Sequence, residues 1–311
     1  NPPIGAVISF YFNDTLRTLK EVRQIAEKNK IKNNLDVDYP SIDHLRKEDR
    51  EEKPYLLFTI FDDFGNEIRK ITLEPKLGVN RVVWDFRHTA QTNIKLKSTK
   101  PSRYGEPSSG PLALPGRYFV SMHKIEQGVA SLLVDKTPFN CKWLDKLSIP
   151  ANNKEELLSF QRKVDRLRKA VDASGEVIDL DKKRIDFIKS AFKNYPGLDI
   201  SYLDKLNEID QLRDSISIQL YGDASLSSRD IEQKEAISSR VGIIIWNMWR
   251  NRSNPTSTNK MLYETASSMF ELTVQDLQNL DNNIKNIENY LEDNQVPFTP
   301  GRGLILNWNK E

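Results

Sequence analysis

The spacing of apolar residues changes near residue 150. Before it, apolar positions fall in short runs separated by Gly, Pro, Asn and Asp; after it, they recur at three- and four-residue intervals. The first pattern predicts strands and turns, the second amphipathic helices. Ala6 to Phe12 and Tyr55 to Phe61 are predicted strands, rich in aromatic and β-branched residues. Asp62-Asp-Phe-Gly-Asn66 is a turn that brings Glu67 to Leu73 back as a hairpin arm. Gly78-Val-Asn80 is read as a further turn, followed by a strand over Arg81 to Phe86. Arg117 to Lys124, Ala130 to Val134 and Thr137 to Trp143 complete a set of about seven. Alternation in Arg81–Phe86 puts Val82, Trp84 and Phe86 on one face, and that face is predicted to be core. In Arg117–Lys124, Tyr118, Val120 and Met122 alternate with Phe119, Ser121 and His123.

Beyond Pro150-Ala-Asn-Asn153, Asn153 is a predicted N-cap for a helix with its stripe at Leu157, Phe160, Val164, Leu167 and Val171. Ile185, Ile188, Phe192 and Tyr195 mark a second helix, ended by Pro196-Gly197. Leu206, Ile209, Leu212, Ile216 and Leu220 mark a third, stopped at Gly222. A short helix over Val241 to Trp249 and a long one over Ser257 to Asp293 follow. Strands followed by helices imply separately built units. The predicted fold is an immunoglobulin-like antiparallel β-sandwich followed by an up-down helical bundle. The sandwich spans 1–149, with a charged, partly helical insertion at 13–54 in which Ser41 caps a short helix. The bundle spans 150–294, and 295–311 is an extended tail. The 91–111 stretch is an irregular loop.

Composition narrows the function classes. The 311 residues are 38% hydrophobic and 29% charged, and the 46 Lys and Arg against 44 Asp and Glu leave a net charge of +2. That balance supplies no field for nucleic acid or an anionic membrane. No apolar run approaches the roughly 20 residues of a spanning helix. The single cysteine, Cys141, forms no internal disulfide and reads as a buried filler. The chain begins at Asn1, which implies processing, trimming or excision.

Chemistry-bearing patterns are sparse. His44, His88 and His123 have no metal-ligand spacing on one element. Asp62, Asp63 and Asp85 lie at predicted strand ends, where a glycosidase pair could sit, but the turn geometry assigns them to local backbone amides. Gly301-Arg-Gly303 lacks the helix and Lys-Ser/Thr of a phosphate loop. Trp246 and Trp249 are three apart on one helix and read as core; Tyr104 in the 91–111 loop is a weaker ligand candidate. No catalytic, cofactor-binding or metal residue is assigned. The chain alone is expected to hydrolyse no glycoside, ester or peptide.

Phe58-Thr-Ile-Phe-Asp-Asp-Phe-Gly-Asn-Glu-Ile-Arg69, Gly78-Val-Asn-Arg-Val-Val-Trp-Asp-Phe-Arg87 and Pro115-Gly-Arg-Tyr-Phe-Val120 resemble the immunoglobulin-like module of the flagellar hook-capping protein. Over nearly the whole chain, Asn1-Pro-Pro-Ile-Gly-Ala-Val7, Gly110-Pro-Leu-Ala-Leu-Pro-Gly116, Phe160-Gln-Arg-Lys-Val164 and Pro297-Phe-Thr-Pro-Gly-Arg302 form a longer pattern. It resembles the C-terminal region of bacterial sortilin-like or glycosyl-hydrolase-like proteins, in which Asp-box β-propeller repeats come first. The resemblance implies export to the periplasm, outer membrane or surface of a Gram-negative bacterium. It also implies an accessory role, docking on the propeller or presenting a surface to an envelope protein or glycan. Two alternatives stay open: part of a glycoside hydrolase or glycan-binding protein, and a free-standing binding module.

Overall fold

A computed structural model describes residues 5–96, 109–142, 151–249 and 252–303. The chain divides into two compact units. The described part of one is 5–89 with 109–142; that of the other is 90–96, 151–249 and 252–303.

The first unit is built from antiparallel sheets. Strand β1 (Ala6–Phe12) pairs with β4 (Gly78–Trp84), Ala6 opposite Trp84 and Phe12 opposite Gly78. A four-stranded sheet has the order β3 (Glu67–Leu73), β2 (Tyr55–Phe61), β7 (Gly116–Glu126), β8 (Val129–Cys141). A short pair joins β5 (Arg87–Thr89) to β6 (Ser109–Leu112). The inner faces share a core: Phe12, Val82 and Trp84 from one sheet meet Leu56, Phe58, Ile60, Tyr118 and Met122 from the other. Trp84 is wholly buried. Its ring lies 5.2 Å from Tyr118 and edge-on to Phe139 at 5.9 Å, and its Nε1 donates to the Arg87 carbonyl at 2.9 Å. The aromatic body thus gains packing while its one polar atom stays satisfied.

The strand readings need three corrections. Gly78–Asn80 is not a turn but the start of β4, because β1 supplies partners down to Gly78. The same strand stops at Trp84: Phe86 has φ of 59°, and its ring returns to Trp84 at 5.6 Å from outside the ladder. The two strands expected after Gly128 are one, β8, whose register against β7 shifts twice. Trp143 lies outside the described residues.

The insertion holds α1 (Leu19–Lys32) and α2 (Ile42–Arg50). Thr18 and Glu21 form a reciprocal capping box on α1, and Ser41 caps α2 as predicted. Arg23 on α1 ties the two together, its Nε 2.6 Å from Glu48 Oε1.

The second unit is helical: α3 (Lys154–Asn194), α4 (Tyr202–Tyr221), a single turn α5 (Ala224–Ser227), α6 (Ile237–Met248) and α7 (Ser257–Asp293). The two helices expected between Asn153 and Tyr195 are one of 41 residues, roughly 60 Å long. The apolar stripe thins at Ser174, Gly175 and Asp181, which are all buried, so a continuous helix looks interrupted in the sequence. Gly175 has a packing reason: a Cβ there would collide with Tyr221 Oη. Helices α3 and α7 run parallel. Lys260 is 3.3 Å from Glu156 near their starts, and Arg184 meets Glu288 at 2.8 Å near their ends. Helix α4 runs the other way, with Tyr202 stacked on Tyr290 at 4.0 Å and Thr273 donating to Gln219 at 3.0 Å. These helices and α6 enclose one apolar core.

The expected extended tail is folded through residue 303. Arg302 is buried and reaches Glu292 at 2.6 Å and the Val296 carbonyl at 2.9 Å. Gly301 has φ of 105°, and a Cβ there would fall 2.7 Å from the Arg184 side chain. Only glycine combines that backbone with that approach.

Candidate interaction surface

The β3-β2-β7-β8 sheet has a second face. Strand alternation sends Leu56, Phe58 and Ile60 inward, leaving Tyr55, Leu57, Thr59 and Phe61 outward. On β7 the outward set is Phe119, Ser121, His123 and Ile125. Cross-strand pairing arranges these in rows. Leu57, His123 and Leu132 form one; Tyr55, Ile125 and Ala130 the next; Phe61, Phe119 and Pro138 another. The face is therefore apolar and aromatic at Leu57, Phe61, Phe119 and Ile125, with Thr59 and Ser121 buried between these rows and Glu67, Lys70 and Thr72 of β3 alongside. Strand β8 is exposed from Val129 to Pro138, with Val129 63% and Leu132 56% accessible and Leu133 and Val134 exposed beside them. Of these, Leu132 belongs to the outer face, while Val129 and Val134, opposite Glu126 and Met122, lie on the inner side, so the β8 edge exposes apolar groups of the kind that mark interaction surfaces on both sides.

Strand β8 is also the sheet edge. Its register against β7 shifts around Leu133 and again around Asp135 and Lys136. Asp135 Oδ1 accepts from the Lys136 amide at 2.7 Å, fixing the second irregularity locally. Pro138 removes a ladder donor. Bulges, a lysine and a proline are the devices that block strand addition at an edge. The available surface is thus the sheet face rather than a row of backbone groups.

Two cations lie on this face. Arg117 sits over the Phe119 ring at 5.1 Å and Lys136 over the Phe61 ring at 4.1 Å. Phe61 and Phe119 are cross-strand partners, so the two cations occupy adjacent rings.

The other sequence candidates are dispersed. Asp62 accepts from the Phe64 and Asn66 amides at 3.0 and 2.8 Å, and Asp85 from the Arg87 amide at 3.1 Å, so both hold turns. Asp63 is exposed. His44 lies on α2, 3.0 Å from Glu48; His88 is on β5 and His123 on the outer face of β7. Burial pushes the Cys141 thiol up to about 11, which keeps it protonated and a poor nucleophile. Trp249 is buried, whereas Trp246 is 61% accessible, so the pair does not pack as a unit. Tyr104 lies outside the described residues. Arg302 is a structural clamp, with no surrounding phosphate-loop geometry. Among the described residues no group of three or more His, Cys, Asp or Glu could hold a metal ion, and no helix is long and apolar enough to cross a membrane.

Two shallow clefts lie on the described surface. One of about 420 Å³ lies between Asp14–Lys28 and Pro75–Leu77, and one of about 240 Å³ lies beside Phe160 and Tyr263. The helical unit has a buried ionic cluster in which Arg184 is bracketed by Asp181, Asp281 and Glu288. Those carboxylates hold the guanidinium's proton more firmly, while burial raises Asp181. Every cation–anion contact in it joins parts of the same unit, which is the arrangement of a brace.

No family model matches the chain, and no solved structure matches it. Over 86 residues it is 30% identical to the adapter protein unc-53 of Caenorhabditis elegans. That stretch is 27% of this chain and 5% of that protein, so the chain spans a small part of the relative's length.

Proposed function

We propose that this chain is a non-catalytic interaction region of a larger exported bacterial protein. In this reading it is an immunoglobulin-like sandwich followed by an up-down bundle. It docks through the outer face of the four-stranded sheet onto a β-propeller of the same polypeptide or onto an envelope partner. The observation that carries the proposal is the exposure of β8 from Val129 to Pro138 beside the apolar rows of β2 and β7. A monomeric surface keeps such patches small, and one on a rigid sheet is suited to a partner. Support for the family reading comes from the roles of its motif residues: Asp62 organises the hairpin turn, Trp84 is core, and Tyr118 packs on it. Location in the periplasm, outer membrane or cell surface of a Gram-negative bacterium follows from the same reading. The carbohydrate-active alternative is weakened by Asp62 and Asp85, whose carboxylates are occupied by nearby amides.

The test is a photoreactive amino acid placed at Leu132 of the intact parent protein in its own cells. Crosslinks from Leu132 into the propeller or a second protein, absent from a probe at Phe64 on the β2–β3 turn, are expected. Crosslinks confined to residues 1–142, or none from either position, would remove the docking reading.

A further inference from the structure

We infer that the outer face of the four-stranded sheet takes an acidic polypeptide segment, whose carboxylates pair with Arg117 and Lys136 while its apolar side chains lie on Leu57, Ile125 and Leu132. The inference rests on the docking reading above and adds the chemistry of the occupant.

Three observations carry it. First, both cations are exposed, and among the described residues neither has a carboxylate within ion-pair distance. Glu67, the cross-strand partner of Phe61 on this face, is taken by Lys70 at 2.8 Å, and on the other face Lys124 lies 3.0 Å from Glu126. Neutralisation within the chain is thus available on this sheet and is not used at these two positions. Second, each cation is held over a ring, Arg117 above Phe119 and Lys136 above Phe61, and the rings are cross-strand neighbours. Ring contact limits the rotamers of both side chains, so less entropy is lost when an anion arrives. Two positive charges side by side repel until an anion sits between them. Third, the apolar rows through Leu57, His123, Leu132 and through Tyr55, Ile125, Ala130 lie on this same face. The surface therefore has an apolar field with a cationic end, complementary to a segment that mixes acidic and apolar residues.

The same geometry argues against other anions. Phe61 is buried beneath Lys136, so it offers no face for a nucleobase. Two cations and a net charge of +2 over the chain do not make the extended basic track of a nucleic-acid or membrane surface. The bulges and Pro138 on β8 direct the segment to the face rather than to the strand edge.

The experiment pans a randomised peptide display library against the full chain, then measures the selected peptides by fluorescence anisotropy. Peptides enriched in Asp and Glu interspersed with apolar residues are expected. Binding should weaken roughly tenfold or more in Arg117→Glu/Lys136→Glu and also in Leu132→Asp. The charge-reversed protein should in turn bind peptides whose acids are replaced by lysine, a gain that an unfolded variant cannot give. Selected peptides without acidic bias, lost on Leu132→Asp but indifferent to Arg117→Glu/Lys136→Glu, would overturn the acidic occupant and leave the docking face standing. Peptides indifferent to all three substitutions, or no enrichment, would overturn both. Charge-dependent binding of a single-stranded DNA oligonucleotide or a phosphatidylglycerol vesicle, without binding of acidic peptides, would also overturn this inference.

Discussion

Trp84 and Asp165 show what single positions decide. Trp84 is wholly buried against Tyr118, Phe86 and Phe139. Trp84→Ala should cost about 3–5 kcal/mol in denaturant unfolding, and an unchanged midpoint would contradict its place in the core. Asp165 is a buried acid on α3: one oxygen has no partner and the Gln91 amide supplies its backbone bond. Burial raises its pKa above the ordinary 3.8, outweighing the attraction of Arg168. The folded chain therefore holds that proton more tightly than the unfolded chain. This contribution to stability is present at low pH and is lost as pH rises from near 3.8 through the folded value. Asp165→Asn should raise the melting temperature near neutral pH and lose that advantage in acid; an equal shift at both would refute the burial account. Trp84 was legible because alternation in a short β-type run names its face. Asp165 was not, because an acid between apolar positions on a helix usually faces water, whereas this one is buried and meets the amide of Gln91, far away in sequence.

Helix α3 and strand β8 carry the same lesson at the level of elements. Caps and stops were readable at Asn153, Ser41, Pro196-Gly197 and Gly222, since each satisfies or ends backbone hydrogen bonding by local chemistry. Continuity was not readable where small and acidic residues replace the stripe at 174–181. Gly175 is there for Tyr221. Gly175→Ala should destabilise by about 1–3 kcal/mol through overpacking, although alanine is the better helix former. A more stable Gly175→Ala protein would show that Tyr221 can move aside freely. For β8, an apolar run reads as a buried strand, yet residues 129–138 are exposed, and among the described residues β8 is an edge strand with no further strand beside it. Burial depends on which distant segment covers an element, and that information is absent from a local pattern.

The whole molecule pairs an antiparallel-sheet unit with a helical one, and near residue 150 the sequence shows a change of apolar period. It did not anticipate that residues 90–96, between two strands in sequence, belong with the helices, where Asn93 donates to the Asp172 carbonyl at 2.8 Å. The candidate surface was legible only as strands; its exposure and its paired cations arise from pairing across β2, β7 and β8. The account rests on that face being occupied in the working protein. Amide hydrogen exchange of this chain alone and of the intact parent with its partners tests it directly. The account predicts that β7–β8 amides from His123 to Thr137 exchange markedly more slowly in the intact assembly while those of α3 and α7 are unchanged. Identical exchange across β7 and β8 in the two samples would contradict it.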